Sequence, residues 1–304
     1  MSLRTDLKVS LRPNVLLARY TTMQVGGEAL YFAEPTCEDE LLEAIEFARQ
    51  EKISFMVLGK GSNVIFPDAG YPGLVITLIH FQDNRIEFDP ENPRVTVSSG
   101  VHLYRFALAC RNAGLGGAEF LANIPGTLGG AVVMNAGFSR FPGQLNEIGD
   151  LVEEVTVLSE DGSKERLARK DLAFSYRHSN LEGRIVLEAK LLLWRRKPEE
   201  IEKEIRANFD YRNRKQDLLH PSSGSIFKNP KAPNPSAGQL IEKLGLKGTR
   251  VGSAMVSEKH GNYIINCGQA KSSDVIELIE KIQKTVLDAT EVFLEREVRI
   301  IEKP

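Results

Sequence analysis

Apolar and polar positions alternate along this chain in short blocks that switch between the strand and the helix period. Leu30-Tyr31-Phe32-Ala33 predicts a strand, and Pro35-Thr36 closes it. Thr36 is placed to cap a helix from Cys37 to about Glu51, whose first turn carries Glu38, Asp39 and Glu40 against the helix dipole. Ile53 to Leu58 reads as a buried strand, Leu74 to Leu78 and Arg94 to Ser99 as two more, and His102 to Asn112 as a second helix. Glycine and small residues dominate from Glu119 to Gly137, a composition suited to a ligand-facing loop more than to a packing element. Leu151 to Leu158 and Ile185 to Trp194 predict strands, with Glu160-Asp161-Gly162 as the turn after the first. Pro198 opens a charged helix through about Lys215. Beyond it the pattern predicts a helix near Ala237 to Leu244, strands at Val251 to Val256 and Tyr263 to Asn266, and a helix from Ser273 to Thr290. Ser272 or Ser273 is its expected cap, with Asp274 in the first turn, and Glu297 to Ile301 is a final strand. The class is α+β.

Composition adds mainly exclusions. A net charge of −2 over 304 residues leaves no footprint for nucleic acid or an anionic membrane, so an anionic ligand must be held by locally placed groups. Met1 to Ser10 has no apolar run and no window approaches a membrane span, so neither a signal peptide nor a membrane helix is expected. Cys37, Cys110 and Cys267 lie far apart without metal spacing, which argues for a reducing cytoplasm and against a zinc site.

Two glycine runs carry candidate chemistry. In Leu58-Gly59-Lys60-Gly61-Ser62-Asn63-Val64 the glycines allow backbone N–H groups close to a phosphate, and Ser62 and Asn63 add short donors. Val64 stands where a dinucleotide fingerprint needs its third glycine, and Ile65-Phe66-Pro67-Asp68 does not begin a helix, so a Rossmann turn is excluded. The second run is Ile124-Pro125-Gly126-Thr127-Leu128-Gly129-Gly130, continuing to Asn135-Ala136-Gly137 and lacking a Walker lysine. Thr21 to Gly27 adds a third polar and glycine-rich element. Three such runs point to one large ligand containing a pyrophosphate, in a nucleotide-binding body followed by a smaller C-terminal lobe.

The strings TTMQVGG, LGKGSNVIF, IPGTLGGAVVMNAG, FSYRHS, GSIFKNP, PSAGQLIEKLGLKG and LEREVRII occur in one order over nearly the whole chain. Together they resemble the UDP-N-acetylenolpyruvoylglucosamine reductase family. The resemblance implies a two-subdomain FAD-binding fold of the vanillyl-alcohol oxidase (PCMH) type plus a C-terminal α+β substrate-binding domain, with expected divisions at 1–100, 101–197 and 198–304. It implies NADPH as hydride donor and a UDP-sugar substrate, and a monomer with no nucleic-acid or membrane partner and no metal is expected. No histidine or cysteine lies in the three runs, so non-covalent FAD is expected. The 48 positions from Arg177 to Ser225 match the compact subtype, which lacks an inserted substrate-closing loop.

Carried over residue by residue, the resemblance makes Ser225 the proton donor, Arg177 the partner of the substrate carboxylate and Glu297 the carboxyl that stabilises the enolate. A free serine hydroxyl is a weak acid, so its neighbours must assist it. A guanidinium is a planar, permanently charged fork suited to a carboxylate. Glu297 rather than Glu295 precedes Val-Arg, as the family's glutamate does. The cofactor is expected at residues Leu58 to Val64, at Ile124, Pro125, Gly126, Thr127, Gly129 and Gly130, and at Asn135, Ala136 and Gly137. Tyr176, Lys215, Asn229, Gln239 and Glu242 are the expected substrate contacts, with Lys228 a further pocket candidate. After Lys215 the family continues to proline, where this chain has Gln216-Asp217. His260 before a buried strand reads as structural.

Overall fold

The apolar stripe after Pro35 forms helix α1, Glu38–Gln50, which buries Leu41, Ala44, Ile45 and Ala48. Its N-cap residue is Cys37, not Thr36, and no side chain accepts there. Thr36 lies one position too early and donates instead, through its N–H and its hydroxyl, to the Glu40 carboxylate at 2.7 and 3.0 Å. The computed structural model describes residues 8–141, 144–159, 161–231 and 233–302. The chain divides into two compact units. One comprises Met1–Arg12, Phe32–Lys60 and Gly73–Arg212, the other Pro13–Tyr31, Gly61–Pro72 and Asn213–Pro304. No helix among the described residues is long and apolar enough to cross a membrane.

In the first unit Phe55–Leu58 runs parallel to the strand at Leu74, pairing as far as Leu58 with Thr77. An antiparallel sheet follows in the order Lys164–Ala168, Val152–Leu158, Ile185–Leu192, Arg94–Ser98, Ile86–Phe88. One face carries Val95, Val97, Val155, Val157, Ala189 and Leu191 into a core shared with Leu103, Phe106 and Cys110 of α2, Leu103–Asn112. The other face stays polar, with Arg85 paired to Glu188 at 2.6 Å, as expected of a half-buried antiparallel sheet. Asp161 and Gly162 (φ 87°) lie in the turn after Val152–Leu158, and Glu160 lies outside the described residues.

The glycine-rich region from Glu119 to Gly137 is more structured than its composition predicts. A 3-10 turn, Glu119–Asn123, leads through exposed Pro125 into α3, Leu128–Val133. Leu121, Leu128, Ala131 and Val132 belong to the core, so this is a packing element as well. The small residues permit that: a Cβ on Gly129 would lie 2.8 Å from Ser99 Cβ. Helix α4 spans Pro198–Lys215, the expected bounds, and seats Ile201 and Ile205 on Ala107 and Ala122.

The second unit holds an antiparallel sheet in the order Ser222–Ser225, Tyr263–Asn266, Ala254–Val256, Arg250–Val251. Residues 251–256 are therefore not one strand. The chain reverses at Gly252 (φ 50°), and Val251 pairs with Ala254. Helices α5, Ala237–Lys243, and α6, Ser272–Thr290, bury Leu240, Ile241, Val275, Leu278 and Ile282 with Ile226, Phe227 and Ile264. Met23 and Val25 join this core, and the Asn266 side chain donates to the Met23 carbonyl at 3.1 Å. The third glycine-rich run, Thr21 to Gly27, thus contributes packing residues to this core.

Neither serine caps α6. The N-cap residue is Lys271, and the Asp68 carboxylate accepts from the Ser272 and Ser273 N–H groups at 2.7 and 3.0 Å and from the Ser273 hydroxyl at 2.7 Å. Burial works to raise the Asp68 carboxyl, but hydrogen bonds from Ser273 and Ser272 outweigh it and hold the group below its ordinary value. We expect Asp68→Ala to lower stability by about 1 kcal/mol at neutral pH. A depressed folded pKa stabilises above the unfolded value of about 3.9 and stops doing so as pH falls through the folded value. Chemical denaturation of both proteins across pH should therefore show the gap closing in acid, and a gap independent of pH would reject the assignment.

Candidate active site

Gly59 and Thr127 bring the two glycine runs together in the first unit: a Cβ on Gly59 would meet Thr127 Oγ1 at 2.6 Å. The second run is strapped to the segment before α2. Leu128 N–H donates to Val101 O and Gly129 N–H to Ser99 O, both at 2.9 Å, while Thr127 bridges His102. Buried polar atoms flank the loop without hydrogen-bond partners, namely Ser99 Oγ and both amide atoms of Asn123. Gly130 and Pro125 are exposed at its tip. A rigid loop with an open tip and buried unpaired polar groups suits a ligand rich in hydroxyl, phosphate and heteroaromatic groups, so these residues fit FAD. Asn135 is occupied otherwise. Its amide donates to Ser175 O and accepts from Gly149 N–H, each at 2.9 Å, so it braces the chain next to Ala136 and Gly137.

Arg177 stands at the tip of a two-residue hairpin in which Ser175 pairs with His178, and it has the left-handed φ of 57°. An arginine there costs on the order of 1 kcal/mol, a strain that functional sites retain. Its guanidinium donates to Gly137 O at 3.2 Å, lies 3.5 Å from Glu147 Oε1, and covers the Tyr176 ring at 4.8 Å. The arginine side chain is 15% exposed and Glu147 18%, so this pair is largely desolvated. Burial raises the Glu147 carboxyl, and the attraction of Arg177 does not cancel it. Glu147 was missed at the level of sequence, where NEIGD carries no motif that singles it out.

Ser225 and Glu297 come together in the second unit. Ser225 ends its strand opposite Tyr263, preceded by Gly224 at φ 72° with open space around it. The next residue, Ile226, accepts at its carbonyl from Glu297 N–H at 2.8 Å. Asn63 secures the same segment, its amide donating to Glu297 O and its carbonyl accepting from Arg299 N–H, both at 3.0 Å. Glu297 is not in a regular strand: the parallel strand pairing with Val64–Ile65 is only Arg299–Ile300. Glu295 is ion-paired to Lys228 at 2.5 Å and largely solvent-exposed, whereas Glu297 is half-buried. The Ser62 to Val64 part of the first run belongs to this unit, and Gly61 (φ 64°) is required there because a Cβ would strike Tyr20 O at 2.1 Å.

Three of the remaining expected contacts, Asn229, Gln239 and Glu242, have protein partners. Asn229 Oδ1 accepts from Ala237 N–H at 3.2 Å, Gln239 forms a capping box with Ser236, and Glu242 pairs with Lys247 at 2.7 Å. Lys215 is exposed. Burial, and after it the charge of Lys247, pushes the His260 imidazole below its ordinary value, and its Nδ1 accepts from Asn262 N–H at 3.2 Å.

The chain matches two family models, an FAD binding domain over residues 29–168 and the UDP-N-acetylenolpyruvoylglucosamine reductase C-terminal domain over residues 215–301. It is 43% identical over 288 residues to a UDP-N-acetylenolpyruvoylglucosamine reductase from Syntrophus aciditrophicus, covering 94% of this chain and 90% of that one. The reductase of Bacillus subtilis is 38% identical, with 95% and 93% covered. The crystal structure of UDP-N-acetylenolpyruvylglucosamine reductase from Thermus caldophilus superposes with a TM-score of 0.80 at 36% identity, covering 97% of this chain and all of that one.

Proposed function

This chain belongs to the UDP-N-acetylenolpyruvoylglucosamine reductase family, and from that premise we propose that it reduces UDP-N-acetyl-3-O-(1-carboxyvinyl)-glucosamine to UDP-N-acetylmuramate with NADPH, as a cytoplasmic monomer. The observation that supports this reading best is the Ser225–Glu297 arrangement, in which Ile226 O accepts from Glu297 N–H at 2.8 Å and brings hydroxyl and carboxyl onto neighbouring segments.

FAD, when bound, supplies a hydride acceptor for NADPH and a hydride donor for the enolpyruvyl methylene carbon. Residues Leu58 to Val64, Ile124 to Gly130 and Asn135 to Gly137 would hold it, with Asn63 and Asn135 acting through the backbone they brace. Reduction of an enol ether builds negative charge toward the adjoining carboxylate and then requires a proton on the ether-bearing carbon. Arg177 meets that carboxylate with a guanidinium already oriented by Gly137 O and Glu147. Glu297 stabilises the enolate, and Ser225 delivers the proton from Oγ. Tyr176, Lys215, Asn229, Gln239 and Glu242 contact the UDP-sugar, the last three after exchanging their present partners.

An anaerobic absorbance experiment tests this. Adding NADPH should bleach the oxidised flavin band near ~450 nm, and adding the enolpyruvyl substrate should restore it. Bleaching without recovery would remove the substrate assignment, and no band after reconstitution with FAD would remove the cofactor.

A further inference from the structure

Asn123 is the last residue of the Glu119–Asn123 turn and immediately precedes the Ile124–Gly130 loop. The residue is 3% exposed, and neither Oδ1 nor Nδ2 of its carboxamide has a hydrogen-bond partner. Its backbone is engaged: the Arg212 guanidinium donates to the Asn123 carbonyl, and the following N–H donates to Leu121 O at 3.0 Å. The backbone therefore fixes the position of a side chain that the protein does not use. A buried amide seldom keeps both its donor and its acceptor unmet, because each unmade bond forfeits the hydration it had in the unfolded chain.

Other buried amides show the contrast. Asn135, Asn262 and Asn266 all use donor and acceptor within the protein. An apolar residue would fill the Asn123 position without that cost, so the amide has a use outside the apoprotein.

We propose that the Asn123 carboxamide is a cofactor-recognition group that donates one hydrogen bond to FAD and accepts another. This rests on FAD as the cofactor and assigns a further contact to it. The pyrophosphate only accepts hydrogen bonds and would leave Oδ1 unmet. The partner is therefore an edge of FAD that offers both roles, and both the flavin pyrimidine ring and the adenine carry one.

The test uses the full-length chain freed of FAD and titrated back, comparing the parent with Asn123→Ala and Asn123→Ser. FAD should bind the alanine variant at least on the order of tenfold more weakly. The serine variant should fall between the two, since a hydroxyl replaces part of the amide. Both FAD-free variants should melt within a few degrees of the parent, because the amide has no protein partner to lose. A displaced flavin absorbance maximum in the saturated variants would place the contact on the flavin. An unmoved maximum with weakened ADP binding would place it on the adenine. Unchanged FAD affinity, or loss of the folded FAD-free protein in both variants, would overturn the proposal and make Asn123 structural, for instance through a buried water. Failure of the parent itself to bind FAD would instead overturn the cofactor.

Discussion

Replacing Ser225 by alanine is expected to leave reduction of the flavin by NADPH unchanged while slowing its reoxidation by the enolpyruvyl substrate roughly 10²–10⁴-fold, the range over which a positioned proton donor contributes. The Ser225 backbone is set by its strand, since Ile226 N–H donates to Asn262 O at 3.0 Å and Ile226 O accepts from Glu297 N–H, and neither bond involves the hydroxyl. Substitution should therefore remove a proton source without moving Glu297. Stopped-flow absorbance on each half-reaction separates the outcomes. If both slowed equally, the residue would act on cofactor placement, and if neither slowed, another group would supply the proton.

Arg177→Gln should lower kcat/KM for the UDP-sugar by roughly 10²–10³, the usual loss when one group stabilising developing charge is removed from a dry site. Arg177→Lys should restore only part, because an ammonium cannot reproduce the planar fork that spans Gly137 O and Glu147. A stability signature accompanies the kinetic one. The Glu147 carboxyl is already raised by burial, and removing Arg177 takes away the charge that opposes this. An acid whose folded pKa exceeds its unfolded value of about 4.3 weakens the fold as pH rises through the folded value. The Gln variant should therefore lose melting temperature relative to the parent toward neutral pH and regain it in acid, where Glu147 is protonated in both states. A deficit that is flat with pH would mean that Glu147 does not depend on Arg177.

Much of this was legible because it is local. Helix α4 begins at Pro198 and ends at Lys215, where the pattern places it, since a proline start and a charged stripe act within a few residues. The FAD-binding class and the family were readable from motif strings, each of which encodes a short conformation. The resemblance singles out Glu297 over Glu295 because Val298 and Arg299 follow it, and the Lys228–Glu295 ion pair adds a physical difference.

What the sequence hid depends on partners far away in the chain. Asp68 caps a helix more than 200 residues later (|i−j| = 204), so the nearby serines look like the cap until the fold brings the carboxylate in. Met23 and Val25 sit in a run that reads as a ligand loop, and only packing against Phe227 and Ile264 makes it core. The region 119–137 looks like open loop because its small residues lack a period, yet that smallness lets α3 lie against Ser99. Asn123 and Glu147 carry no local signal, because what distinguishes them is an unmet amide and a desolvated charge. Sequence by itself thus determined most of the elements and the family, consequences of short-range stereochemistry and residue identity. Tertiary structure alone decided which polar groups are already satisfied and which are left unmet, because burial and hydrogen-bond partnership exist only once distant segments have met.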